Sequence, residues 1–64
     1  MKKYKAKEVI DLLEEDGWYL SRTRGSHRQF KHPIKKGTVT VNGKLNEILS
    51  QFLLNNIFKQ AGWL

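Results

Sequence analysis

The sequence contains no cysteine, which excludes a disulfide framework and a thiolate zinc site; His27 and His32 alone are too few to replace either. It contains one proline, Pro33, and no Pro/Gly/Ser-rich linker, repeat or low-complexity tract, so nothing divides the chain. It has no long apolar run. Acids and lysines interrupt the stretch after the basic Met-Lys-Lys-Tyr-Lys start, so neither a bilayer span nor a secretory leader is expected. What remains is a cytoplasmic protein of one domain, 1–64, held by apolar packing, with no metal and no cofactor. A chain of 64 residues buries only about 60% of its unfolded surface, and its stability is expected to be thin.

A further absence is local. Five of the acids, Glu8, Asp11, Glu14, Glu15 and Asp16, precede Gly17, and no carboxylate occurs from Gly17 to Asn46. That same stretch carries Arg22, Arg24, Arg28, Lys31, Lys35, Lys36 and Lys44, and the chain as a whole has a net charge of +6. Such a block is either a surface that attracts a polyanion or a solvated basic face that keeps the protein soluble, and charge alone does not separate the two.

Periodicity predicts five elements. Ala6, Val9, Ile10 and Leu13 recur at helical spacing and predict a helix over Ala6–Asp16, with Gly17 as its left-handed stop. Its acidic outer face should not touch nucleic acid. From Trp18 to Thr23 the chain alternates, which predicts a half-buried strand with Trp18 and Leu20 inward and Tyr19, Ser21 and Thr23 outward. Arg24-Gly25-Ser26 is a turn. A second strand, His27–His32, sends Phe30 inward with Arg28 and His32, and leaves His27, Gln29 and Lys31 on a polar face. Pro33 ends it, Lys35-Lys36-Gly37 forms a hairpin loop, and Thr38–Val41 is a third strand with Val39 and Val41 inward. After Asn42-Gly43, Ser50 caps a closing helix that runs to Ala61 and stops at Gly62. The sum is an α+β fold of order α-β-β-β-α, two layers, a three-stranded antiparallel sheet with both helices on one face. A basic domain of this order is similar to the double-stranded-RNA-binding domain.

On the closing helix, Leu49, Phe52, Leu53, Leu54, Ile57 and Phe58 spread over about 240° at 100° per residue, more than one core face requires. Phe52, Leu54, Phe58 and Trp63 are core residues by default. The width of the arc nevertheless predicts that some are covered by another chain, either a partner protein or a second copy of this one.

His27 and His32 lie five residues apart on one strand, hence about 16 Å apart on opposite faces, which excludes a two-histidine acid–base pair. A single histidine can still move one proton at a phosphodiester, with cations steadying the charge that develops. Lys31 shares the His27 face, whereas Arg24 and Arg28 would need the strand ends to splay. Read from the residues alone, His27 is either that group or an ordinary polar strand residue. For His32 a strand-end structural role is expected, and Ser26 has no carboxylate within Gly17–Asn46 to build a hydrolase triad. Gly25 relieves a tight turn and can admit phosphate to backbone N–H groups. Tyr19, on the polar face, is either packing or a platform for a base.

Three segments resemble the HicA family, the toxin half of HicA–HicB toxin–antitoxin pairs: the Lys7–Trp18 helix with its Gly-Trp exit, Arg24-Gly25-Ser26-His27-Arg28-Gln29-Phe30-Lys31-His32-Pro33, and Leu53–Gly62. The resemblance implies a toxin of a type II system that cleaves mRNA and arrests translation; because RNA carries its own nucleophile, the 2′-hydroxyl, no metal is obligatory for that cleavage. The resemblance also implies His27 as the catalytic group and a HicB-like antitoxin as partner; on that reading the basic stretch and its turn are expected to supply RNA contacts from Arg24, Gly25, Ser26, Arg28, Lys31, Lys35 and Lys36. Where family members often carry a proline and a further histidine after the third strand, this chain has Asn42-Gly43-Lys44-Leu45, and in place of the usual glycine before the last helix it has Ser50-Gln51-Phe52. Two rivals to this reading are a non-catalytic RNA-binding module of the same shape and a decayed toxin retained as a regulatory partner.

Overall fold

The computed structural model describes residues 2–64; Met1 of the expected 1–64 domain lies outside the described residues. In order, the elements are α1 (Ala6–Glu15), β1 (Tyr19–Arg24), β2 (His27–Lys31), β3 (Val39–Val41) and α2 (Gln51–Gln60). This is the α-β-β-β-α order that periodicity predicts. Among the described residues no helix is long and apolar enough to cross a membrane.

Apolar spacing in α1 buries Ala6, Val9 and Leu13, and spacing in α2 buries Leu54 and Ile57. The sheet has strand order β1-β2-β3, antiparallel throughout. Phe30 pairs with Val39 and Arg28 with Val41, and directly opposed residues share a face. Phe30, Val39 and Val41 are buried in one cluster with the inward residues of both helices. Both helices therefore lie on that face, and the other is left uncovered.

Each helix stops in the same way. At the end of α1 the N–H of Gly17 donates to Glu14 O (3.1 Å) and that of Trp18 to Leu13 O (2.9 Å); at the end of α2 Gly62 donates to Lys59 O (3.1 Å) and Trp63 to Phe58 O (2.8 Å). These are paired Schellman closures, in which a left-handed glycine lets the chain reverse and the next residue folds back on the last turn. Gly17, at φ +102°, has a second constraint. A Cβ there would stand 2.8 Å from His32 Nε2.

The two glycine stops bring both tryptophans to one carboxylate. Asp16 Oδ2 accepts from Trp18 Nε1 (3.0 Å), Trp63 Nε1 (3.1 Å) and Lys35 Nζ (2.7 Å), and Lys35 Nζ also donates to Ala61 O (2.9 Å). His32 completes the cluster: its Nδ1 accepts from the N–H groups of Ile34 and Lys35 (3.0 Å each), so Nε2 carries the hydrogen and donates to Asp16 O at 2.7 Å. Its ring stands edge-on to Trp18 at 5.2 Å. The end of α1, the β2–β3 loop and the end of α2 are thus tied at one point. The acid that opposes the α1 dipole is answered by a lysine from another element.

The hydrogen bond from Lys35, along with those from the two tryptophans, holds the Asp16 carboxyl at about 2, below its ordinary 3.8. Because the folded-state value is the lower one, its contribution to stability is present above about pH 4 and is lost as pH falls toward 2. Asp16→Asn is expected to lower the melting temperature at neutral pH and to flatten its decline between pH 4 and pH 2. Thermal melts across that range check this; an unchanged decline would remove Asp16 from the account.

The segment after β3 is bonded to the start of α1. Glu47 O accepts from Ala6 N–H (2.9 Å), Leu45 O from Lys7 N–H (3.0 Å), and Leu49 N–H donates to Tyr4 O (2.9 Å). Carbonyls of this segment thereby satisfy first-turn N–H groups of α1, which no helix satisfies internally. Ser50 caps α2 as predicted, its Oγ accepting from Leu53 N–H at 3.2 Å.

Two expectations need correction. Strand β1 is not half-buried, since all six of its residues are exposed and Leu20, expected inward, is 51% exposed. It is an edge strand beyond the cover of the helices, and only Trp18, just before it, reaches the core. Leu54, predicted among the residues available to a partner, is 2% exposed and belongs to the core. The wide apolar arc of α2 is partly answered within the chain: Phe58 packs against Tyr4 (5.9 Å between ring centroids) and Trp63 (5.4 Å). Phe52 remains 72% exposed.

Candidate active site

The uncovered face of the sheet is built from rungs between β1 and β2. Arg24 pairs with His27, Arg22 with Gln29, and Tyr19 with Lys31. In β2 the residues His27, Gln29 and Lys31 alternate away from the buried Phe30, and each cross-strand partner shares their open side.

Arg22 and Arg24 reach this face through an irregularity. The pairing slips by one residue between Leu20 and Arg22, leaving Ser21 without a partner. In a regular strand, residues of the Trp18 and Leu20 parity would face the helices. One extra residue reverses every later side chain, so the bulge turns both arginines outward. The sequence expectation that Arg24 would need strand-end splay is corrected accordingly. Arg22 and Gln29, which sequence reasoning did not place in the site, enter it for the same reason: their register is visible only once the bulge is known.

The turn that joins the strands is Gly25-Ser26. Gly25 has φ +59°, and among the described residues none other than glycine has positive φ, which is the type II′ pattern with glycine in first position. This tight turn sets Arg24 directly opposite His27, with Cβ atoms about 5 Å apart by the geometry of such pairs, and Arg22 diagonal to His27 at about 7–8 Å. Arg22, Arg24, His27 and Gln29 together line an open pocket of about 210 Å³. The lining holds three groups that can donate to a phosphate and one imidazole, and no carboxylate. Among the described residues no three of histidine, aspartate and glutamate gather as a metal-ligand set.

Other predicted contacts fall elsewhere. Arg28 is half-buried on the helix-facing side, where its Nη1 donates to Gly43 O at 2.8 Å. Lys35 is held by Asp16 and Ala61. Both are structural ties, and neither lines the pocket. Gly25 and Ser26 sit at the pocket's turn, Lys31 lies one rung beyond it on the same face, and Lys36 is exposed on the β2–β3 loop. His32 faces the helix layer in the Asp16 cluster, as expected of a structural histidine.

A family profile described as the HicA toxin of bacterial toxin–antitoxin matches residues 6–63, nearly the whole chain. This chain belongs to the HicA toxin family. A comparison with individual curated proteins returns no match. Membership assigns the chain the toxin role of a toxin–antitoxin pair and implies an antitoxin partner of HicB type. The Gly25-Ser26-His27 segment that carried the resemblance is, in this HicA chain, the tip of the β1–β2 hairpin and the edge of the pocket.

Proposed function

We propose that this HicA chain is a metal-independent endoribonuclease acting on mRNA, with His27 as general acid or base. The observation that carries the reading is the pocket: one imidazole opposite one guanidinium and diagonal to another, on a sheet face with no acid. RNA brings its own nucleophile. The 2′-oxygen attacks the adjacent phosphorus, its proton leaves, the bond from phosphorus to the 5′-oxygen breaks, and that oxygen is protonated. His27 transfers one of these two protons and water the other. Arg24 and Arg22 donate to the non-bridging oxygens, where negative charge builds as the phosphorane forms. Sites that bind magnesium for phosphoryl transfer use carboxylates, and this lining has none.

The toxin action is then the loss of translatable message, and the antitoxin its neutralising partner. For contact with that partner, or with a second copy, the outward part of α2 offers Phe52 together with the exposed edges of Phe58 and Trp63.

The chemistry predicts its own products. Purified protein incubated with single-stranded RNA in the presence of a chelator is expected to leave 2′,3′-cyclic phosphate and 5′-hydroxyl ends, and to spare an all-deoxy strand of the same sequence. End-group analysis of the fragments reads this directly. Cleavage of the deoxy strand, 5′-phosphate ends, or a requirement for added magnesium would replace this mechanism with a different one.

A further inference from the structure

The rung beyond the pocket pairs an aromatic with a cation. Tyr19 is 52% exposed and is not among the side chains packed on the core. Its cross-strand partner is Lys31, also exposed. Both stand on the His27 face, and Lys31 is four residues along β2 from His27, about 13 Å away at strand rise. An exposed tyrosine on a wet sheet face keeps apolar surface in water that no neighbour here covers.

We propose that Tyr19 and Lys31 form a second subsite, which takes one unpaired base of a single-stranded RNA beyond the nucleotide being cut. The phenol ring stacks on the base and the Lys31 ammonium meets a neighbouring phosphate. One feature of the geometry and one of the chemistry fit a single strand better than a duplex. The track of Arg24–His27, Arg22–Gln29 and Tyr19–Lys31 runs along one strand axis. Stacking requires a base free of its partner. This inference rests on the nuclease reading and specifies which part of the substrate the sheet holds.

The test uses the full chain and a single-stranded RNA with a 2′-deoxy sugar at the cleavage site, so that binding is read without turnover. Tyr19→Ala is expected to weaken binding on the order of tenfold and to raise KM similarly with kcat little changed, whereas Tyr19→Phe, which keeps the ring, binds as the wild type does. Base removal supplies the specific readout. Scanning the oligonucleotide with abasic positions should find one whose loss weakens wild-type binding but adds nothing in Tyr19→Ala, because the two changes delete the same contact. Tyr19 is exposed on an edge strand, so the core is untouched by either variant. Equal binding by Tyr19→Ala, an abasic scan with no position that depends on Tyr19, or a duplex held as tightly as the single strand would each overturn the subsite while wild-type cleavage stands. Failure of the wild type to cut RNA would instead remove the nuclease reading and this inference with it.

Discussion

His27→Ala is expected to slow RNA cleavage by about 10²–10⁴-fold, the usual loss when a positioned proton-transfer group is removed. Two further measurements give the result its meaning. The imidazole is exposed, so truncating it should leave thermal stability within about 0.5 kcal/mol of wild type. Affinity for an uncleavable RNA should also persist, since Arg22 and Arg24 remain to hold phosphate. A nuclease therefore loses turnover and keeps binding, and in cells the same substitution should relieve growth arrest. If the wild type binds RNA but leaves it intact, and His27→Ala behaves identically, the chain is a binding module of the same shape. If expression of the wild type never arrests growth, the decayed-toxin reading takes its place.

Arg24→Ala and Arg22→Ala should differ from His27→Ala in kind. Each removes a donor to a charge that is larger in the transition state than in the ground state, so kcat falls with a smaller change in KM. The pairing register makes Arg24 the nearer of the two to His27.

How far the sequence revealed this arrangement depends on which physical signal each residue leaves. Ala6, Val9 and Leu13, the Val39/Val41 alternation and the two glycine stops are local patterns, and each produced the element expected of it. His27 was legible as a candidate because the tripeptide around it resembles a family segment and because histidine is the residue suited to the proposed chemistry. Arg22 was not. Its face depends on the unpaired Ser21, and a bulge leaves no mark in a six-residue strand with no buried residue to anchor its parity. Lys35 and Arg28, expected as RNA contacts, are instead bonded within the chain and lie outside the pocket. Positive charge in sequence does not reveal that Asp16 and Gly43 O have already claimed it. Asp16 itself appeared only as one of the five acids before Gly17, because two of its three donors, Lys35 and Trp63, come from distant parts of the chain.

Trp18→Ala is expected to abolish the cooperative fold at room temperature. Truncating a large buried aromatic costs about 3–5 kcal/mol, and a domain of 64 residues has only about 3–10 kcal/mol in total at the usual stability per residue. Trp18 is one of the largest fully buried side chains, 2% exposed. Its indole N–H also donates to Asp16 Oδ2, and its ring packs on His32. Trp18→Phe, which keeps one ring in the core but loses the rest of the indole with its N–H, should remain folded with a lower urea midpoint, and Trp63→Ala, from a half-buried site, should fall between wild type and Trp18→Ala. Circular dichroism during urea titration reads all three, and a Trp18→Ala midpoint near wild type would contradict the assignment. The consequence for the site is indirect but large. Strand β1 has no buried residue of its own, so Trp18 is what fixes its near end to the core. Without that anchor the bulge, and the two arginines it turns toward His27, have nothing to hold their register, and RNA binding should be lost together with the fold even though the indole lies on the far side of the sheet from the pocket.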